Sequence, residues 1–294
     1  MFTPPPSPPL PPVPTPTLPA QINAATRKQH TALNRLIVER LPLALPPYAS
    51  DPRPLGKGLA AFAEIFFIFE RVWRELTVFV ETHEESLPGT HDVQLRAWLA
   101  TLRPPGLERS ERLIQDLISI ADRTGVFPCA GFVERLRLRD VREEIKAKPH
   151  TLLAYGWVMY MATFSGGRWV RQQLANAGEE FWLNDSSILD VGKESFQLLE
   201  LPGFTFLSFD GSKDGEDIKE LFKARLAEAE TLLTQQERLE VVQAAQVLFE
   251  RCIGLVTDLD VLVGLRRIWD RWLLPGLLCI AGVMVLVFLY WCSD

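Results

Sequence analysis

Tyr160-Met161-Ala162-Thr163-Phe164-Ser165-Gly166-Gly167 lies in the middle of a run with helical spacing, from about Leu152 to Leu174. Two adjacent glycines inside a helix cost roughly 1 kcal/mol each relative to alanine. A helix carries that cost where something comes close to its backbone or where it bends. Taken alone, the pair fits a kink packed against a neighbouring helix. It also fits a flat ligand resting on bare backbone. The rest of the chain decides between the two.

Pro149 opens this central helix, and helical patterns surround it. Ile22, Ala25, Leu33, Leu36 and Ile37 form a broken stripe that ends near Leu41, before Pro42, Pro46 and Pro47. A long helix over about 55–82 is apolar nearly all round between Leu59 and Phe69, as deep burial requires. Shorter helices are predicted over 92–102, 108–124 and 130–147, separated by Pro104-Pro105-Gly106 and Gly125-Val126-Phe127-Pro128. The third carries Arg135, Arg137, Arg139, Arg142, Lys146 and Lys148 among Glu134, Asp140, Glu143 and Glu144, the mark of a solvated, salt-bridged face. After Gly178 comes an irregular stretch. Phe204-Thr205-Phe206-Leu207-Ser208-Phe209 alternates and predicts a short extended piece. Helices follow over about 216–233 and 235–263, with Thr234 as N-cap and Glu237 three residues later. Strand signals are scarce, and residues 21–263 read as one all-α domain.

Both ends differ from this body. Residues 1–20 contain ten prolines and predict an extended polyproline II tail that an SH3 or WW domain could read. Residues 264–271 are a basic juxtamembrane segment with Arg266, Arg267 and Arg271. Trp272 to Cys292 carries no charge over 21 residues. As a helix it would reach about 31 Å, close to a bilayer core of about 30 Å. It predicts a C-terminal transmembrane helix, a single-pass tail anchor. The arginines place the domain in the cytosol, and the lack of basic residues beyond the anchor favours the endoplasmic reticulum membrane.

Charge and composition exclude several chemistries. Net charge is −6, so no global basic field points to nucleic acid. Cys129, Cys252, Cys279 and Cys292 form no CxxC pair, which argues against a zinc site and suits a reducing compartment. There is no P-loop, dinucleotide fingerprint or nucleophile elbow. His83 and His91 flank a Pro-Gly turn and read as solvated, as does His150. His30 lies one residue off the apolar stripe of the first helix, with Asn34 one turn later. A helical histidine with such a partner is the minimal design for an axial metal ligand.

His30 and the Gly166-Gly167 helix together resemble the haem oxygenase family. Ala25-Thr26-Arg27-Lys28-Gln29-His30-Thr31 is similar to the family's proximal segment, Tyr160 to Gly167 to its distal helix, and Lys219 with Leu221-Phe222-Lys223-Ala224-Arg225 to the helix holding the haem propionates. The resemblance covers about 21–260 and implies haem sandwiched between two helices. It implies His30 as the iron ligand and Tyr160, Phe249, Arg27, Lys219 and Lys223 as haem contacts. It also implies Gly166 and Gly167 as backbone over the haem face. The activity implied is a monooxygenase that degrades haem to biliverdin, carbon monoxide and iron. It would use O2 and NADPH-derived electrons from a cytochrome P450-type reductase.

Three positions depart from the family. Thr163 stands where the family has an aspartate that orders water and delivers protons, Ala162 stands where it has glycine, and Asn34 stands one turn after His30 where it often has a carboxylate. A threonine hydroxyl can share in a water network but supplies no carboxylate charge. Two other readings therefore stay open: a haem-binding sensor or buffer without turnover, and a helical interaction protein without haem.

Overall fold

The computed structural model describes residues 16–83, 89–129, 131, 138–182 and 205–268. Its first helix, α1 (Leu18–Arg40), starts at Thr17, whose side chain accepts from Ala20 N, with Pro19 in the first turn. Pro42 then ends the helical ladder in a short 3-10 turn. α2 (Arg53–His83) is the scaffold helix. Ala60, Ala63, Ile65, Phe66, Phe69 and Trp73 on it are buried, in line with its apolar sequence. Packed on it are α3 (His91–Leu102), α4 (Ser110–Thr124) and α5 (Val141–Ala147).

The central segment is not one continuous helix. It runs as α6 (Leu152–Tyr155), a π-helical turn over Gly156–Tyr160, and α7 (Met161–Ala175). The π turn adds a residue to the coil and shifts the face presented beyond it. It forms where Gly156 meets the Trp73 indole. A Cβ there would lie 3.0 Å from Trp73 Cζ3 and 3.4 Å from Phe222 Cζ. Trp73 cannot retreat, because its indole N–H donates to Leu99 O at 2.7 Å. After α8 (Glu179–Trp182), α9 (Glu216–Ala229) and α10 (Gln235–Ile268) complete the described chain. Thr234 and Glu237 form the reciprocal cap expected at the start of α10, with bonds of 3.2 and 2.8 Å. α1 and α6 both pack along α10, whereas α7 packs on the 205–207 turn and on α9.

Two sequence expectations are corrected. Within the expected extended piece, Phe204 lies outside the described residues and 205–207 are not extended. Thr205–Leu207 is a 3-10 turn, because side chains of α4 satisfy its backbone. The Asp116 carboxylate accepts from Thr205 N and Phe206 N, and the Arg109 guanidinium donates to Phe206 O and Ser208 O. His150 is buried, not solvated, since Glu240 on α10 meets its Nε2 at 2.7 Å. In the basic segment, Arg139, Arg142 and Lys146 pair with Asp140, Glu75 and Glu143 as a salt-bridged face should. Arg135 and Arg137 lie outside the described residues.

The domain is all-α: among the described residues there is no strand. Cys129 and Cys252 are free thiols. No helix among the described residues is long and apolar enough to cross a membrane. The proline tail up to residue 15 and the apolar block from 272 to 292 lie outside them.

Candidate functional site

α1 turns Leu18, Ile22 and Thr26 inward, all nearly inaccessible, and rests half-buried Leu33 against the core. His30 sits beside this row and is exposed. Its ring meets buried Phe249 of α10 edge-on, with centroids 5.9 Å apart and planes at 77°. This contact fixes one edge of the imidazole and leaves the rest open. No hydrogen bond joins it to Asn34, which is exposed. The neighbouring Gln29 Oε1 is buried without a partner among the described residues, an acceptor awaiting a donor.

On α7 the side chains divide by face. Thr163, Phe164 and Gly167 are buried, whereas Ala162, Ser165 and Gly166 are exposed. The two glycines therefore do different work. A Cβ on Gly167 would stand 3.1 Å from Leu207 Cδ2, so Gly167 lets the 205–207 turn approach the helix. A Cβ on Gly166 would meet nothing within 4 Å. Gly166→Ala is therefore expected to stabilise the ligand-free protein by up to about 1 kcal/mol through helix propensity. Gly167→Ala should gain nothing or lose stability, because buried Leu207 must give way. Thermal unfolding of the two variants checks this: equal shifts would contradict the division of faces.

Thr163 points inward. Its hydroxyl donates to Met159 O at 3.0 Å within its own helix. Behind it, Phe164 stacks on Phe209 at 4.6 Å, and the Arg109 guanidinium covers the Phe209 ring at 4.3 Å. Burial draws the Arg109 pKa down to about 10, still charged at neutral pH. Tyr160 is fully buried, and its hydroxyl donates to Glu70 Oε1 at 2.9 Å. Burial, then the Glu70 charge, holds the phenol well above its ordinary pKa, so it stays a donor.

The two walls are pinned at one end. Trp157 Nε1 donates to Asn23 Oδ1 at 3.0 Å, and the buried Glu230 carboxylate accepts from Leu18 N at the start of α1. Phe222 of α9 meets Tyr160 edge-on at 6.0 Å, seating α9 on the π turn. Lys219 and Lys223 flank Phe222 and are each paired within their helix, with Glu216 and Glu220. Arg27 is exposed on α1. A cavity of about 210 Å³ elsewhere, lined by Glu144, Thr151, Tyr155 and Arg251 among others, is smaller than the ~300 Å³ of an ordinary small-molecule site. Among the described residues no cluster of His, Cys, Asp and Glu could hold a bare metal ion.

A family model described as heme oxygenase matches residues 67–258, well over half of the chain. The chain belongs to the haem oxygenase family. The matched stretch contains α7, α9 and Phe249, whereas His30 precedes it. The heme-binding protein HMX1 of Saccharomyces cerevisiae is 23% identical over 256 residues, spanning 81% of this chain and 74% of its own. Among solved structures, heme oxygenase-1 of the cyanobacterium Synechocystis, in complex with heme, superposes with a TM-score of 0.58 at 16% identity. It covers 93% of this chain and 99% of its own. Heme oxygenase 2 of Chlamydomonas reinhardtii, solved without heme, gives 0.57 at 19% identity over 82% and 96%. At such identities the structural likeness establishes the fold, and that fold is the haem oxygenase one.

His30 stands on α1, Phe249 on α10, Ala162 and Gly166 on α7, and Lys219 and Lys223 on α9. Tyr160, Thr163 and Gly167, read from the sequence as site residues, have their side chains or close contacts on the inner face. The sequence reading missed Gln29, Ser165 and Glu70. Glu70 had a visible signal, a carboxylate placed directly after the apolar Ile65-Phe66-Phe67-Ile68-Phe69. Ser165 had none beyond its place three residues after Ala162.

Proposed function

We propose that this chain binds haem between α1 and α7 and degrades it oxidatively, as a monooxygenase held at the cytosolic face of the endoplasmic reticulum membrane by residues 272–292. One observation carries the reading. His30 is exposed on one wall with its edge set by Phe249, and the first turns of α7 expose the small residues Ala162, Ser165 and Gly166. The Asn23–Trp157 bond gives a common origin for both walls. At 1.5 Å per residue His30 lies about 10 Å along α1 from it, and Ala162 and Gly166 about 7 and 13 Å along the other wall. Haem held between the two walls would meet the His30 imidazole from α1 and the small residues Ala162 and Gly166 from α7.

Bound haem supplies an iron that takes up and activates O2 with electrons from an NADPH-dependent, cytochrome P450-type reductase. The chain supplies the rest. A His30 ring nitrogen holds the iron, Lys219 and Lys223 meet the carboxylates, and Arg27 is a further cation on α1. The small surface of Ala162 and Gly166 keeps side chains off the distal face, and the Ser165 hydroxyl is the polar group exposed there.

A specific observation favours a second reading, haem binding without turnover. The Thr163 hydroxyl is already committed to Met159 O, and the exposed residues beside it, Ala162, Ser165 and Gly166, bring no carboxylate. The test is hemin bound to the full-length chain, followed by NADPH and the reductase. Loss of the Soret band with biliverdin formation supports the monooxygenase. Bound haem that persists under those conditions supports the second reading.

A further inference from the structure

The rim lysines are occupied in the free protein. Lys219 Nζ reaches both oxygens of Glu216, at 2.9 and 3.3 Å, and Arg168 Nη2 donates to the same carboxylate at 2.6 Å. Lys223 Nζ donates to Glu220 Oε1 at 3.0 Å. The two cations of α7 are taken as well: Arg171 holds Asp214 at 2.9 and 2.6 Å, and Arg168 also reaches it. The lysines bracket Phe222, whose ring lies against Gly156 and Tyr160 of the π turn. Any carboxylate that enters there meets cations that already hold carboxylates.

We infer that Glu216 and Glu220 are built-in competitors for the carboxylates of haem, occupying Lys219 and Lys223 until the porphyrin displaces them. The inference rests on the haem reading above. Binding then exchanges one carboxylate for another instead of adding new ion pairs. The two competitors differ in hold. Glu220 is the more exposed and has a single cation three residues away, so it leaves readily. Glu216 sits at the first residue of α9, where the helix dipole favours an acid, and is shared by Lys219 and Arg168. These two hydrogen bonds hold its pKa below the usual carboxylate value. Glu216 therefore sets the larger part of the threshold, and porphyrins that carry fewer carboxylates lose less by failing to displace it.

The test is hemin titration of the full-length chain, followed by the Soret band, at several salt concentrations. Exposed pairs of this kind are worth little singly, so Glu220→Gln should tighten hemin about twofold and the Glu216→Gln, Glu220→Gln pair about tenfold, the larger share coming from Glu216. Salt gives an independent reading. Exchange leaves the number of ion pairs unchanged, so wild-type affinity should vary little between about 10 and 150 mM salt. The double variant, with its lysines freed, should lose its advantage as salt rises. Lys223→Met in the Glu220→Gln background should cancel that variant's gain. A His30-dependent Soret band with unchanged affinity and salt slope in the double variant overturns the competitor role alone. A hemin band indifferent to His30→Ala in every background overturns the haem reading and this inference with it.

Discussion

Glu70→Ala is expected to destabilise the protein by about 4–5 kcal/mol, read as a drop in the midpoint of chemical denaturation. The carboxylate is fully buried on α2 and has four donors. Arg109 N and Ser110 N donate at 2.8 and 2.9 Å, Tyr160 Oη at 2.9 Å, and the Ser110 hydroxyl also donates. The first two are the opening N–H groups of α4, which lack partners within their own helix. Alanine would leave all four donors in an apolar surround. Each lost partner costs about 1–3 kcal/mol, discounted because a water can enter the space left behind. Tyr160→Phe removes one donor and leaves the carboxylate with three, so it should cost only about 1 kcal/mol. A loss for Glu70→Ala no larger than that would mean the cap and the phenol do not share one buried acceptor.

His30→Ala should abolish the imidazole-ligated Soret band of the hemin complex, and free imidazole should restore it. The ring is exposed, and its one defined neighbour is the edge of Phe249, so the variant removes a ligand without opening a hole in the core. Folding stability should stay within about 0.5 kcal/mol of wild type, as for a surface change. That separation matters, because a variant that merely unfolded would not respond to imidazole. An unaltered Soret band in His30→Ala would remove α1 as the proximal wall, since His30 is the one histidine of that helix.

The sequence carried the fold because most of its instructions are local. The Thr234–Glu237 cap is written within four residues and appears as expected. The burial of α2 is written in a run from Leu59 to Phe69 that only Glu64 interrupts. The departures come from partners far along the chain. His150 looked like a solvated helix start until Glu240, on a helix 90 residues away, covered it. Thr205 to Phe209 had the alternation of a strand, but Asp116 and Arg109 took its backbone groups first. The π turn depends on Trp73 pressing against Gly156, which no periodicity reveals. At the site, the glycine pair was legible as an anomaly and the sharing of labour was not. Only the position of Leu207 separates Gly167, which admits a neighbour, from Gly166, which faces nothing. Thr163 was legible as a departure from its family, but the direction of its hydroxyl was not.

The helix that carries His30 is fastened almost entirely by the far end of the chain. Glu230 caps its first turn across 212 residues, Gln246 holds Ala25 O across 221, and Asp260 takes Arg40 across 220. On the ribosome, α1 is therefore made first and secured last. Until α10 has been synthesised, the segment with His30 has neither its packing surface nor Phe249 to orient the ring. A nascent or truncated chain lacking α10 would carry the histidine without the ring that sets its edge, so on the proposed reading competence to hold haem is acquired only once the body is whole.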